Sequence, residues 1–288
     1  MKAAPFEYHA PETLDEVLAL LAEFGDDAKV LAGGQSLVPM LALRLARFGQ
    51  LIDLNRIPTL RYVDEGGGVT RVGAMTTQAT IGGSQEVRCR VPLLADATAH
   101  IAHFQIRNRG TIGGSLSHAD PSAEYPAVAV TLDAEIGLAS TRGARTVVAT
   151  DFFTGTFATA AEPDEVLTEV RFAHRPQGCA VVELARRHGD FAIAGVACAV
   201  ELDPAERIRS LRLGLFGVAS TPVRATAAEQ AAAGTAAGEI DPQEVGQAAL
   251  SGISCVSDVH ADAGYRKQVA AHLAGQAVRQ AMAEARHG

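Results

Sequence analysis

The sequence predicts an α+β protein in two parts, divided near residue 175. Strand and helix signals alternate through the first part, beginning with a small α/β unit over about residues 1–56. Three strand-like runs and then three helix-like runs fill the last third of the chain. Between the parts, Arg175-Pro176-Gln177-Gly178 reads as a linker. With 288 residues, 48% apolar and 20% charged, the chain has enough material for a large core and about two domains. That balance excludes a disordered or fibrous chain.

The elements follow in order. Thr13 and Glu16 form a capping box ahead of Leu14, Val17, Leu18 and Leu21, which repeat at helical spacing, and Gly25 supplies the stop. A short strand at Lys29–Leu31 runs into Ala32-Gly33-Gly34-Gln35-Ser36. A helix over about Leu37–Arg47 and a strand at Leu51–Asp53 come next. Arg61–Val63 and Val69–Val72 flank Gly66-Gly67-Gly68 as a hairpin. Helices are expected at Thr77–Gly82 and Val91–His100, then a glycine-rich loop from Arg107 to Ser115 and a helix at Ala123–Leu132. Ile136–Ala139 and Thr146–Ala149 make a second hairpin around Arg142-Gly143, and Val166–Phe172 is a strand. After the linker come strands at Ala180–Leu184, Ile193–Leu202 and Ser210–Val218. Helices close the chain at Arg224–Ala233, Gln243–Leu250 and Tyr265–Ala285.

Several function classes drop out. A net charge of -8 gives no global attraction to phosphate backbones, so nucleic-acid binding is not expected. The longest strongly apolar stretch, Phe191–Val200, is far below the roughly 20 residues that span a bilayer, and the N-terminus lacks a signal-peptide apolar region. A cytoplasmic location is expected. Cys89, Cys179, Cys198 and Cys255 are scattered, with no CxxC pair to supply metal or cluster ligands. They read as free thiols of a reducing compartment. No GxSxG is present, and His100 and His103, three apart on an expected helix, have no HExxH beside them.

Two double-glycine turns carry the chemistry that remains. Gly33-Gly34 lies after a strand and before a helix, with Ser36 two residues on, and Gly113-Gly114 is followed directly by Ser115. Without Cβ atoms the backbone can approach a ligand, and its N–H groups can form an anion-binding concavity. Both could equally be tight turns, since 28 glycines make chance pairs common. Neither is a GxGxxG fingerprint or a P-loop. The tract Arg186-Arg187-His188-Gly189-Asp190-Phe191 reads either as a polar hairpin turn or as a site edge with an aromatic wall.

Taken together, Ala32–Ser36 and Thr111-Ile112-Gly113-Gly114-Ser115, about eighty residues further on, resemble the paired flavin loops of the FAD-binding medium subunits of molybdenum hydroxylases. That family includes carbon monoxide dehydrogenase, the nicotine, caffeine and quinoline-type dehydrogenases and, as a fused domain, xanthine dehydrogenase. The resemblance extends to Phe6–Pro11, Leu51–Asn55, Arg107–Gly110, Asp120-Pro121, Glu124, Asp164–Leu167 and Arg187–Ala192.

It implies an FAD domain of the vanillyl-alcohol-oxidase (PCMH) type over residues 1–175, with subdomains at about 1–56 and 57–175. Residues 176–288 would be a C-terminal α+β domain with a three-stranded antiparallel sheet and three helices. It implies that backbone around Leu31, Ala32, Gly33, Gly34, Gln35, Ser36 and Leu37, with Thr111, Ile112, Gly113, Gly114 and Ser115, binds the FAD pyrophosphate. Glu124 would face the sugar and phosphate region, the backbone of Val166 and Leu167 would lie beside the cofactor, and Phe191 would stand near the isoalloxazine ring. Ser115 departs from the asparagine often found in relatives, and no inserted cluster-binding cysteines are present.

The implied role is electron transfer. A large subunit would carry the molybdenum cofactor, a small subunit two [2Fe–2S] clusters, and this chain the FAD that reduces an external acceptor. A dimer of heterotrimers is the implied assembly. A flavin-less assembly subunit and a stand-alone flavin oxidase are the alternatives. No substrate-side catalytic residue and no metal ligand are expected in this chain.

Overall fold

A computed structural model describes residues 2–287. The first unit is a three-stranded parallel sheet. β1 (Glu7–His9) leads to α1 (Leu14–Phe24), β2 (Ala28–Leu31), α2 (Leu37–Ala42) and β3 (Gln50–Asp53), and the strand order is β1-β3-β2. The Thr13 hydroxyl caps α1 by accepting from the Glu16 amide at 3.3 Å, and Glu16 reaches back to the Glu12 amide at 2.9 Å. Val17, Leu18 and Leu21 are buried against Ile52, Leu54 and Ile57. Each such side chain contributes about 1.5–3 kcal/mol by leaving water. β1 was not expected from the sequence. α2 is shorter than the expected Leu37–Arg47, because Arg44 turns into the left-handed region at φ 59 and ends the helix.

The second unit is a five-stranded sheet with helices on it. Its members are β4 (Val63–Gly66), β5 (Val69–Gly73), α3 (Gln78–Gly83), α4 (Gln85–Arg90), α5 (Pro92–His100), α6 (Phe104–Arg107), α7 (Ile112–His118) and α8 (Glu124–Thr131). There follow β6 (Glu135–Ser140), β7 (Gly143–Val148), α9 (Ala149–Phe152), the short pair β8 (Phe153–Gly155) and β9 (Ala158–Thr159), and β10 (Val166–Phe172). The sheet order is β4-β5-β10-β6-β7. Gly67 and Gly68, at φ 64 and 82, form the two-residue turn of the first hairpin, where L side chains would be strained. The expected glycine-rich loop is in part a helix: Thr111 caps α7 and Gly113-Gly114 lie in its first turn. α5 ends at His100, so His103 does not share its face.

The C-terminal unit holds β11 (Gly178–Leu184), β12 (Ala194–Leu202), β13 (Ile208–Phe216) and β14 (Val223–Arg224), then α10 (Thr226–Ala232), α11 (Pro242–Ala249) and α12 (Ala263–His287). The antiparallel sheet has four strands rather than three, the fourth being the two-residue β14. β11 alternates cleanly. Cys179 and Val181 pack into the core shared with α5 and α8, whereas Ala180 and Val182 pack toward the helices α10–α12. The sheet is thus a middle layer covered on both faces. No helix among the described residues is long and apolar enough to cross a membrane.

Candidate cofactor site

Both double-glycine segments are built at the ends of regular elements. Ala32–Ser36 leaves the carboxyl end of β2 and enters α2, at the edge of a parallel sheet where ligands of α/β proteins commonly sit. Gly34 adopts φ 75, a conformation glycine takes at no steric cost. The N–H groups of Gly33, Gly34, Gln35 and Ser36 donate to no acceptor among the described residues. Asn55, just beyond β3, braces the segment: its Nδ2 donates to the Ala32 carbonyl at 3.0 Å and to Asp53 Oδ1 at 2.6 Å. Arg61 in turn donates to Asn55 Oδ1 at 2.9 Å. Asn55 was not singled out from the sequence as a site residue.

The second segment meets the first at backbone distance. A Cβ placed on Gly33 would lie 2.2 Å from the Arg109 carbonyl oxygen and 2.8 Å from the Gly110 Cα. One on Gly114 would come within 2.9 Å of Thr111 Oγ1 and 3.5 Å of the Ala32 Cβ. The two segments contribute differently, however. Ile112 N donates to the Thr76 carbonyl at 3.2 Å, Gly113 N to Ala74 at 2.9 Å, Gly114 N to the Thr111 hydroxyl at 3.0 Å and Ser115 N to the Thr111 carbonyl at 3.0 Å. Most free donors therefore lie on the Gly33–Ser36 side; in Thr111–Ser115 it is Thr111 whose N–H has no acceptor among the described residues, and the rest of that segment is a pre-set wall.

The remaining expected residues lie on three other elements of the fold. Val166 and Leu167 open the central strand β10 with buried side chains, and β5 pairs with β10 only from Glu169 onward. On that side they run past the end of β5, where α7 packs on β10. Glu124 begins α8. Burial, and then the neighbouring carboxylate of Glu183, push its carboxyl up to about 8. Phe191 stays 72% exposed on the turn before β12. That turn is seated on the lead-in to the second segment, because the Gly189 backbone lies against the Ala102 carbonyl and His103. The structure thus joins Ala32–Ser36 to Thr111–Ser115 directly. It sets Gly189, two residues before Phe191, against Ala102 and His103.

A partly buried polar cluster beside Glu124 escaped the sequence. His100 Nδ1 lies 3.5 Å from Glu183 Oε1, and the Glu183 carboxylate raises the His100 imidazole above its ordinary value. Asp96 Oδ2 accepts from the Cys179 thiol at 3.5 Å, and burial raises the carboxyl of Asp96. No spacing in the chain signals these pairs, which join α5 to β11.

A glycine-lined backbone cradle with free N–H donors, closed by a second α/β unit, has the chemistry of a site for the phosphates of a nucleotide cofactor. The comparisons with known proteins define the class further. Residues 4–174 match the model of the FAD binding domain in molybdopterin dehydrogenase, and residues 180–281 match the CO dehydrogenase flavoprotein C-terminal domain. The 6-hydroxypseudooxynicotine dehydrogenase complex subunit alpha of Paenarthrobacter nicotinovorans is 38% identical over 99% of this chain and 97% of that protein. The structure of the Hydrogenophaga pseudoflava carbon monoxide dehydrogenase lacking the Mo-pyranopterin moiety matches with a TM-score of 0.95 and 41% identity, covering 99% of each chain. Quinoline 2-oxidoreductase from Pseudomonas putida 86 matches with a TM-score of 0.94 and 35% identity, also covering 99% of each. The chain belongs to the FAD-binding medium subunits of the carbon monoxide dehydrogenase and xanthine dehydrogenase family, and it is an oxidoreductase subunit.

Proposed function

We propose that this chain is the electron-transfer flavoprotein of a three-subunit molybdenum hydroxylase. It takes electrons from [2Fe–2S] clusters of a small partner subunit and passes them to an external acceptor. A large partner subunit holds the molybdenum cofactor and the organic substrate, and two heterotrimers pair. The complex works in the cytoplasm. Residues 1–175 form the FAD-binding domain, with subdomains at about 1–56 and 57–175, and residues 176–288 form the C-terminal domain. The family matches at 4–174 and 180–281 support that division.

One observation carries the reading: four backbone N–H groups at Gly33–Ser36 have no acceptor among the described residues, and their segment packs directly on the one that runs from Arg109 through Gly114. A pyrophosphate needs such donors, and a side chain at Gly33 or Gly114 would invade this junction. Bound there, FAD supplies the redox chemistry. The chain's own residues hold and orient it. Leu31–Leu37 and Thr111–Ser115 form the pyrophosphate cradle. Glu124, whose carboxyl burial pushes up to about 8, would face the sugar and phosphate region. Val166 and Leu167 supply backbone beside the cofactor, and Phe191 supplies an aromatic wall.

The test is the visible spectrum of the purified chain. Released or reconstituted FAD, and co-purification with a cluster-bearing small subunit and a molybdenum large subunit, is the expected result. A colourless chain that FAD cannot reconstitute would refute the proposal.

A further inference from the structure

One buried guanidinium ties the C-terminal helix to both walls near the proposed cofactor. Arg266, in the first turn of α12, is 3% exposed. Its NH1 donates to the Ile193 carbonyl at 2.6 Å and to the Gly217 carbonyl at 2.5 Å, and its NH2 pairs with Asp258 Oδ2 at 2.5 Å. The two carbonyls are themselves junctions. Ile193 directly follows the Arg186–Ala192 turn that carries Phe191, and its amide donates back to Leu184 at 2.7 Å. Gly217 closes β13 at φ 72, packs on the carbonyls of Ala192 and Ile193, and donates its N–H to the Pro121 carbonyl at 2.7 Å. Pro121 lies three residues before Glu124. A buried charge is stable only when paired and hydrogen-bonded, and these contacts engage both terminal nitrogens at the point where the two segments meet, leaving only Nε without a partner among the described residues.

We propose that Arg266 is a positioning residue for the flavin. By clamping Ile193 and Gly217 it sets the turn bearing Phe191 against the Pro121–Glu124 segment, and so fixes the aromatic wall at the ring. The inference rests on the reading that Phe191 and Glu124 face FAD. Arg266 itself does not touch the cofactor. A role confined to stability would leave the environment of the bound flavin unchanged.

The experiment uses the full-length chain with Arg266→Met and Arg266→Lys. Amide hydrogen exchange at Asp190 and Ile193 is followed without FAD, and the visible band shape, fluorescence and affinity of added FAD are then measured. In Arg266→Met, exchange at Ile193 is expected to rise at least about tenfold. The flavin bands are expected to shift, and FAD to bind about tenfold more weakly. Arg266→Lys is expected to restore the parent spectrum, because an ammonium still donates to both carbonyls. Parent-like flavin spectra in Arg266→Met, with or without a lower melting temperature, overturn the proposal, as does a lysine variant that behaves like the methionine one. If Arg266→Met does not fold, Gly217→Ala probes the same junction with the charge kept, since its Cβ would lie 2.9 Å from the Ile193 oxygen. An unchanged flavin spectrum there is equally adverse. Should the parent chain itself bind no FAD, the cofactor reading fails, and the exchange arm alone decides whether Arg266 holds the turn.

Discussion

Replacing Gly33 by alanine tests whether the two glycine segments form one site. The added methyl carbon would sit 2.2 Å from the Arg109 carbonyl oxygen and 2.8 Å from the Gly110 Cα. Both neighbours are backbone, so no side chain can swing aside. Relief requires the segments to part by about 1 Å, the shortfall from ordinary contact. Overpacking of this kind costs about 1–3 kcal/mol of stability. The larger effect falls on the ligand. Hydrogen bonds to a charged group contribute about 1.5–3 kcal/mol each, so misaligning one of the four donors weakens binding about tenfold or more. Fluorescence titration with FAD measures the affinity, and urea denaturation measures the stability. Gly34→Ala is the control. Its neighbours are the side-chain ends of Val38 and Leu31 at 3.1 and 3.3 Å, and its φ of 75 costs about 1–2 kcal/mol without wedging the segments apart. The reasoning is refuted if Gly33→Ala keeps parent affinity, or if Gly34→Ala is the more damaging for FAD.

Two further outcomes follow from buried groups. Glu124 titrates at about 8 in the folded chain against its ordinary 4.5, so the folded state holds the proton more tightly. Its support of folding is complete below pH 4.5 and drains away as the pH climbs to about 8. Glu124→Gln should therefore flatten the decline of melting temperature across that window, and parallel curves for the two chains would contradict the assignment. Among the thiols, Cys89 is exposed, and burial raises the buried Cys179 and Cys198 thiols well above the ordinary value. A chromogenic disulfide reagent at pH 8 should label Cys89 first and reach Cys179 and Cys198 only after denaturation. Mass spectrometry that found native labelling of Cys198 would show the core to be more open than its packing implies.

What could be read from the sequence follows from how local each signal is. α1 was legible because its cap and its apolar face lie within a dozen residues. The glycine pairs were legible as residue types, and their family resemblance came from order and spacing. Their contact at Gly33–Arg109 was not, since it depends on two units packing together. The Thr111–Ser115 run read as a loop because two glycines disfavour helix. The Thr111 hydroxyl caps it locally, but its first N–H groups go to the Ala74 and Thr76 carbonyls, which lie nearly forty residues back in the chain. β1 is mostly exposed and has no alternation. It is a strand only because β3, about forty residues on, offers a parallel edge. The His100–Glu183 pair is legible only once β11 has docked on α5.

The position of β10 governs the order in which this protein can be made. Of the five strands in its sheet it is the last to leave the ribosome, and it takes the middle place between β5 and β6. Until Phe172 has emerged, the nascent chain carries two separate hairpins, each with an open edge that could pair with a neighbouring polypeptide. Val166 and Leu167 travel on that same strand. The closing of the sheet and the arrival of this part of the proposed cofactor wall are therefore a single event, and a chain truncated before it would present sticky ribbons rather than half a flavoprotein.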